Sequence, residues 1–118
     1  MATQLRLTSD RRPTALTVHI AGDLDYSTCD ELVDFVTGRL DTAPGVREVR
    51  LNFRGLTHID SSGLTALLAV RRRTGAARAL LRLDERSTEL NRMLHLTNTL
   101  EHLTAPGDEA PGGDAGPR

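Results

Sequence analysis

The segment that decides the fold is His58-Ile59-Asp60-Ser61-Ser62-Gly63-Leu64. Upstream of it, apolar and polar residues alternate over residues 49–53, which is the pattern of a half-buried strand. Downstream, residues 64–70 carry leucines with i, i+3 and i+4 spacing, as on the buried face of a helix. The sequence therefore predicts a strand that ends in a polar turn, from which a helix begins.

The polar turn has two interpretations. Asp60 and Ser61 are both common N-cap residues, so the turn could belong to an ordinary capped helix. However, the first-turn amides of a helix also attract anions, including a covalently attached phosphate. Two adjacent hydroxyls exceed what a cap requires, and Gly63 lies where glycine costs about 1 kcal/mol relative to alanine. Such a glycine is useful if the backbone of another molecule must approach the turn.

The composition excludes several classes of protein. The chain has 118 residues, enough for one ordinary domain, and a formal net charge of −1, so it has no basic field for direct nucleic-acid binding. The single cysteine, Cys29, excludes an intramolecular disulfide and fits a reducing compartment. Neither a signal-peptide pattern nor an apolar run of membrane-spanning length is recognisable. We therefore expect a soluble cytoplasmic protein without membrane segments.

The order of the predicted elements is strand, strand, helix, strand, helix, strand, helix. The first two strands are joined by a short turn and form a predicted antiparallel hairpin, whereas the helical crossovers require parallel pairing in the centre. We therefore expect an α/β domain with a mixed sheet of four to five strands packed against three or more helices. The predicted strands cover about residues 4–8, 16–21, 46–53 and 79–83, with residues 100–103 left open between an edge strand and a last turn.

The predicted domain spans residues 1–104. Residues 105–118 are dominated by proline, glycine and small or acidic residues, and they show no apolar period. Such a segment cannot bury enough apolar surface to fold, so we expect a disordered tail.

Capping signals set the predicted starts of the flanking helices. Ser27 and Thr28 are followed three residues later by Asp30 and Glu31, and both pairs match the capping-box pattern. Ser87 is the predicted cap of the third helix. The residues expected to face the core are Leu32, Phe35, Val36 and Leu40 in the first helix, and Leu90, Met93, Leu94 and Thr97 in the third.

The central helix is predicted over about residues 62–73. Leu67 and Leu68 are both expected to anchor it to the sheet. Gly75 is the predicted left-handed residue just after its end, and Asn98 has the same predicted role after the third helix.

Asp25 follows the second strand, as the turn around Ser61 follows the third. If these strands are parallel neighbours, both turns lie at the same edge of the sheet, where ligands and contacts of open α/β sheets gather. Asp23 and Asp25 would then lie near Ser61. We interpret Asp23 as a turn residue, whereas for Asp25 a turn role and a site role remain open.

The sequence does not favour catalysis. A nucleophilic Ser61 would need a base and an oxyanion site, but His58 lies on the strand side of the turn and the G-x-S-x-G elbow is absent. The other histidines have no Cys or acidic partner at metal-ligand spacing, and there is no glycine-rich phosphate or dinucleotide motif. We therefore expect no enzyme activity, no metal and no cofactor.

The motif Asp60-Ser61-Ser62-Gly63-Leu64 after a strand, together with Gly22-Asp23-Leu24-Asp25 at the end of an earlier strand, resembles the STAS domain. More closely, the chain resembles the stand-alone bacterial anti-sigma factor antagonists. The resemblance covers about residues 4–103 and agrees with the predicted element order. It departs from the family pattern at His58, where a larger apolar residue is expected.

The resemblance implies specific roles for the motif. In that family the first serine of the pair, here Ser61, is phosphorylated by a partner that is both anti-sigma factor and serine kinase. Asp25 matches the aspartate beside the phosphosite, and Asp60 matches the aspartate before the serines. The neighbouring residues expected at the phosphosite and partner surface are Ser62, Gly63 and Leu64.

The implied mechanism is partner switching. The unmodified antagonist binds the anti-sigma factor kinase and thereby frees a sigma factor. Phosphorylation of Ser61 then dissociates the complex, and a PP2C-type phosphatase restores the hydroxyl. The oligomeric state is left open between a monomer and a weak dimer. The alternative is a non-catalytic STAS subunit of a larger signalling or lipid-transport assembly.

Overall fold

The computed structural model describes residues 4–96. It contains four strands and three helices in the predicted order. Their bounds are β1 Arg6–Arg11, β2 Ala15–Leu24, α1 Cys29–Asp41, β3 Glu48–Ile59, α2 Ser61–Ala76, β4 Leu80–Asp84 and α3 Thr88–Leu96. The predictions for Thr97, Asn98, residues 100–103 and the tail at 105–118 lie outside the described residues.

The four strands form one mixed sheet in the order β1-β2-β3-β4. β1 pairs with β2 in antiparallel fashion, whereas β2, β3 and β4 are parallel neighbours. This topology confirms the predicted α/β fold with its hairpin and its helical crossovers. The parallel strands all end at the same edge of the sheet, which is the edge from which α1, α2 and α3 begin.

One face of the sheet carries the core. Every second residue of β2 is buried, because alternate side chains of a strand point to opposite faces. Buried residues of β2, β3, β4 and all three helices form an apolar cluster, against which Leu7 of β1 packs partly buried. Its largest fully buried members are Phe53, Leu16, Ile20, Leu24, Leu32, Leu51, Ile59, Leu67, Leu81, Leu90 and Leu94.

The opposite face of the sheet is polar and carries ion pairs. Arg50 Nη1 lies 2.9 Å from Asp84 Oδ2, and Glu48 bridges Arg50 and Arg82. The hydrogen bond from Arg82, assisted by the charge of Arg50, lowers the pKa of Glu48. The pleat thus separates the charged side chains from the core without burying any of these pairs.

β3 is longer than the sequence predicted because it contains two irregularities. Its register against β2 shifts between His19 and Ala21 and again between Gly22 and Asp23, each time with one extra residue in β3. The alternation of buried and exposed residues stops after Phe53, where the bulges begin. Beyond the bulges, Ile59 is buried again. His58 therefore lies on the strand with an exposed side chain, next to Asp23 across the β2–β3 pair.

The end predicted for α2 is wrong by about three residues. Gly75 is helical, and the left-handed residue is Arg78, with φ of 60°. The amide of Ala79 donates to Thr74 O at 2.9 Å and that of Arg78 donates to Gly75 O at 3.0 Å, which is a Schellman motif. Ala76 continues the helix because alanine is the best helix former, so the glycine does not mark its end.

Leu67 is the deeper of the two predicted anchors of α2. Its side chain is fully buried, whereas Leu68 is only partly buried and packs against the margin of the core. Successive residues of a helix point about 100° apart, so the two leucines cannot face the sheet equally. The prediction that both are buried anchors therefore holds only for Leu67.

We expect Leu67→Ala to lower the free energy of unfolding by about 2–5 kcal/mol, because it leaves a cavity in the core. Leu68→Ala should cost clearly less, because part of its side chain already contacts water. Urea unfolding of both variants measures the difference. Equal losses for the two variants would contradict this orientation of α2.

Candidate functional site

The ends of β2 and β3 bring the two predicted turns together. Leu24 pairs with Ile59 in the parallel register, and the amide of Asp60 donates to Leu24 O at 3.2 Å. The turn after β2 and the turn before α2 are therefore joined by a backbone hydrogen bond. We call the part of the sheet edge formed by residues 23–29 and 59–65 the Ser61 edge.

Gly63 is required by the packing of the chain on itself. A Cβ at this position would lie 2.5 Å from Leu24 O and 2.6 Å from Ile59 Cγ1, well inside contact distance. The first turn of α2 thus rests directly on the end of β2. The structure therefore replaces the prediction of an approaching partner backbone with an intramolecular reason for this glycine.

Asp60, one of the two residues that the sequence offers as the cap, is the N-cap of α2, and the helix begins at Ser61. Its Oδ1 accepts hydrogen bonds from the amides of Ser62 at 2.8 Å and Gly63 at 3.1 Å. The carboxylate therefore already occupies two of the first-turn amides that were predicted to face an anion. It also places a negative charge beside Ser61.

The two serines differ in exposure. Ser61 is the first residue of α2 and its side chain is exposed, whereas Ser62 is half-buried. Leu64, with only 8% of its surface exposed, belongs to the core together with the buried Gly63. Of the predicted site residues on α2, Ser61 is thus the one most open to a partner, while Gly63 and Leu64 act from inside the domain.

Asp25 organises the turn after β2. Its Oδ1 accepts hydrogen bonds from the amide of Ser27 at 3.0 Å and from Ser27 Oγ at 2.9 Å. Its carbonyl oxygen accepts from the amides of Thr28 and Cys29 at the start of α1. These contacts show a turn role for Asp25 at the Ser61 edge.

The two predicted capping boxes of α1 are not formed. Thr28 occupies the N-cap position, but its side chain makes no capping hydrogen bond. Instead, Thr28 Oγ1 donates to Asp23 O at 2.8 Å and accepts from the amide of Asp25 at 2.9 Å. The Thr28 hydroxyl thus ties the turn to the end of β2. The spacing of residues in the sequence does not indicate this contact.

The hydrogen bond from the Ser27 hydroxyl is the main cause that lowers the pKa of Asp25 below its ordinary value of 3.8. Desolvation opposes this shift, while the backbone amide of Ser27 and the contacts of Thr28 add to it. Asp25 is therefore anionic at neutral pH. The stabilisation that follows from this lowered pKa is complete above 3.8 and is lost as the pH falls through the lowered value.

Tyr26 is the residue of this edge that sequence reasoning missed. It follows Asp25 directly, and 83% of its surface is exposed. The only signal in the sequence was an aromatic residue within a polar turn.

His58 lies beside an acidic residue of α3. Its Nδ1 lies 3.5 Å from Glu89 Oε2 at the start of α3, and both side chains are about half exposed. Within residues 4–96, no group of three or more His, Cys, Asp or Glu side chains is arranged to hold a metal ion. No helix in that part of the chain is both long and apolar enough to cross a membrane.

We expect Gly63→Ala to destabilise the domain by about 1–3 kcal/mol, because the added methyl group overpacks the contact with Leu24 and Ile59. Gly38→Ala in α1 is the matched control, since a Cβ there meets nothing within 4 Å. That control should be neutral or stabilising by up to about 1 kcal/mol. Chemical unfolding of both variants tests the contact, and a neutral Gly63→Ala would disprove it.

Ser27→Ala should raise the pKa of Asp25 toward 3.8, because it removes the largest of the shifts. NMR titration of the side-chain carboxyl carbon measures this pKa. Thr65→Ala is a control, since Thr65 Oγ1 donates to Ser61 O at 3.1 Å and does not bind Asp25. An unchanged pKa in Ser27→Ala would show that the hydroxyl is not the cause.

Comparisons with known proteins agree with this architecture. A family model described as "Mlab, STAS domain" matches residues 7–104. No curated protein matches the sequence significantly.

The fold is shared with solved anti-sigma factor antagonists. The antagonist from Mycobacterium paratuberculosis has a TM-score of 0.70 and 18% identity, over 83% of this chain and 81% of that chain. The phosphorylated form of the Bacillus cell fate determinant SpoIIAA has a TM-score of 0.61 and 19% identity, over 85% and 86% of the two chains. Its unphosphorylated form has a TM-score of 0.59 and 20% identity, over 80% and 83%.

The family match covers most of the chain, and the strand order, the helices and the Asp-Ser-Ser-Gly-Leu turn agree with it. The chain belongs to the STAS domain family.

Proposed function

We propose that the protein is a cytoplasmic anti-sigma factor antagonist without catalytic activity of its own. In its unmodified form it binds an anti-sigma factor that is also a serine kinase, and the sigma factor is released. The observation that carries this proposal is the position of Ser61. Ser61 is exposed as the first residue of α2, directly after the Asp60 carboxylate and at the sheet edge that also carries the anionic turn of Asp25.

The geometry explains how a phosphate on Ser61 could be tolerated by the fold. Phosphorylation adds about −1.5 to −2 charges at neutral pH. The positive end of the α2 dipole favours negative charge at this position. Because Asp60 already holds the amides of Ser62 and Gly63, the phosphate would project outward from the domain. The switch therefore acts on the surface and leaves the core intact.

The same charge would weaken a partner bound at the Ser61 edge. A partner packed on this turn would meet added bulk, the cost of desolvating the phosphate, and a surface made more negative beside Asp25 and Asp60. A loss of about 3–4 kcal/mol in binding free energy corresponds to two to three decades in Kd. A PP2C-type phosphatase would reverse the modification. Two of the matched structures are of one antagonist in unphosphorylated and phosphorylated forms, which supports such a cycle on this fold.

A second candidate is a non-catalytic STAS subunit of a larger signalling or lipid-transport assembly. It is favoured by the description of the matching family, which names Mlab and not an antagonist. In that case the Ser61 edge would pack permanently against a partner, and the hydroxyl would carry no phosphate.

We expect an anti-sigma-type serine kinase from the same genome, supplied with ATP, to phosphorylate the wild type on Ser61. Ser61→Ala should not be phosphorylated but should keep binding the kinase, whereas Ser62→Ala should still be phosphorylated. Ser61→Asp should fold and bind weakly. Mass spectrometry of the reaction products and binding measurements on the same variants provide the test.

Phosphate on Ser62, retained in Ser61→Ala, would overturn the assignment of the site. Failure of every such kinase to bind or modify the wild type would favour the subunit of a larger assembly.

A further inference from the structure

We infer that Tyr26 is the aromatic anchor by which the anti-sigma factor kinase docks beside Ser61, and that the kinase offers it an apolar pocket rimmed by basic side chains. This inference rests on the proposed function and adds to it a recognition residue and the chemistry of the partner surface.

The exposure of Tyr26 stands out in a chain with one tyrosine, two phenylalanines and no tryptophan. Phe53 is fully buried, and Phe35 is partly buried with the guanidinium of Arg39 at 4.4 Å from its ring. Tyr26 by contrast leaves 83% of its surface in water. Tyrosine is enriched among the residues that dominate protein interfaces, because its ring buries a large area and its hydroxyl tolerates a wet rim.

The turn that carries Tyr26 is held in place on both sides. Asp25 binds the amide and the hydroxyl of Ser27, and the buried Thr28 ties the turn to Asp23 O. Cys29 Sγ also donates to the carbonyl oxygen of Tyr26 at 3.5 Å. A fixed backbone lowers the conformational entropy lost on binding, so the ring is presented in a form suited to an anchor.

The turn that carries Tyr26 is joined by a backbone hydrogen bond to the turn that carries Ser61. Tyr26 is two residues beyond Leu24, and Ser61 is one residue beyond Asp60, whose amide binds Leu24 O. The packing of Gly63 on Leu24 further holds the two turns together. A partner that reaches the Ser61 hydroxyl therefore has Tyr26 within the same footprint.

The charges around Tyr26 indicate the chemistry of the partner. The segments 22–38 and 55–70 contain the Ser61 edge and the N-terminal parts of its two helices, and they carry acidic residues but no arginine. The arginines of the two helices lie in their C-terminal parts, at Arg39, Arg71, Arg72 and Arg73. Six exposed arginines lie at the opposite end of the domain, namely Arg11, Arg12, Arg47, Arg72, Arg73 and Arg78, while Arg6, Arg39, Arg54 and Arg92 are exposed elsewhere. An acidic edge around an exposed ring favours a basic partner surface, which both steers the encounter and excludes acidic competitors.

The test measures the Kd of each Tyr26 variant for the anti-sigma-type kinase that binds the wild type, with a non-hydrolysable ATP analogue so that Ser61 stays unmodified. Tyr26→Ala should raise Kd about 10- to 100-fold, as expected for an interface anchor. Tyr26→Phe should stay within about threefold of the wild type, because it keeps the ring. Leu96→Ala is the matched control, since Leu96 is 79% exposed at the far end of α3 and should leave Kd unchanged.

A fluorine label gives a second readout. Because Tyr26 is the only tyrosine, 3-fluorotyrosine labels this position alone and gives one ¹⁹F resonance. Unlabelled kinase should shift or broaden the resonance, and phosphorylation with ATP should restore its free position.

The outcomes separate this inference from the proposed function. If the kinase binds Tyr26→Ala as tightly as the wild type, or binds without changing the ¹⁹F resonance, the anchor is disproved and the proposed function stands. If no such kinase binds the wild type, the proposed function fails and the inference falls with it. Tyr26→Ala should unfold at the wild-type urea concentration, which excludes a folding defect as the reason for weak binding.

Discussion

The contact between the end of β2 and the first turn of α2 is the constraint on which the rest of the site depends. Leu24 O accepts the amide of Asp60, and only a glycine at position 63 allows α2 to rest on it. This single junction fixes the start of α2, the position of Ser61 and the distance between the two turns. The backbone around Ser61 is therefore anchored to the sheet.

Two aspartates at this junction accept hydrogen bonds from the unpaired amides at the start of a helix, each with a different group. Asp60 satisfies first-turn amides of α2 with its carboxylate, while Asp25 binds Ser27 with its carboxylate and the first amides of α1 with its carbonyl oxygen. Both remain partly exposed. Structural capping and surface charge are thus supplied by the same side chains, so the hydrogen bonds that hold this edge together also leave it acidic.

Sequence reasoning reached the α/β class, the element order and the mixed sheet, and it narrowed the cap of α2 to Asp60 or Ser61, because alternation and capping are local signals. It missed the length of β3 because two bulges break the alternation after Phe53. It placed the end of α2 at Gly75, although Arg78 takes the left-handed conformation in the Schellman motif. The capping boxes of α1 failed because Thr28 binds Asp23 O, a contact along the turn that spacing does not reveal.

The sequence by itself predicted Asp25, Asp60 and Ser61 as candidate site residues at one edge of the sheet, since they follow strands whose parallel pairing is required by helical crossovers. It also determined the family resemblance, through motif residues that are contiguous in the chain. Only the tertiary structure decided which residues of this edge face outward: Ser61 and Tyr26 are exposed, while Gly63 and Leu64 are buried. The physical reason is that exposure depends on how two distant strand ends pack against one helix, which no local pattern encodes.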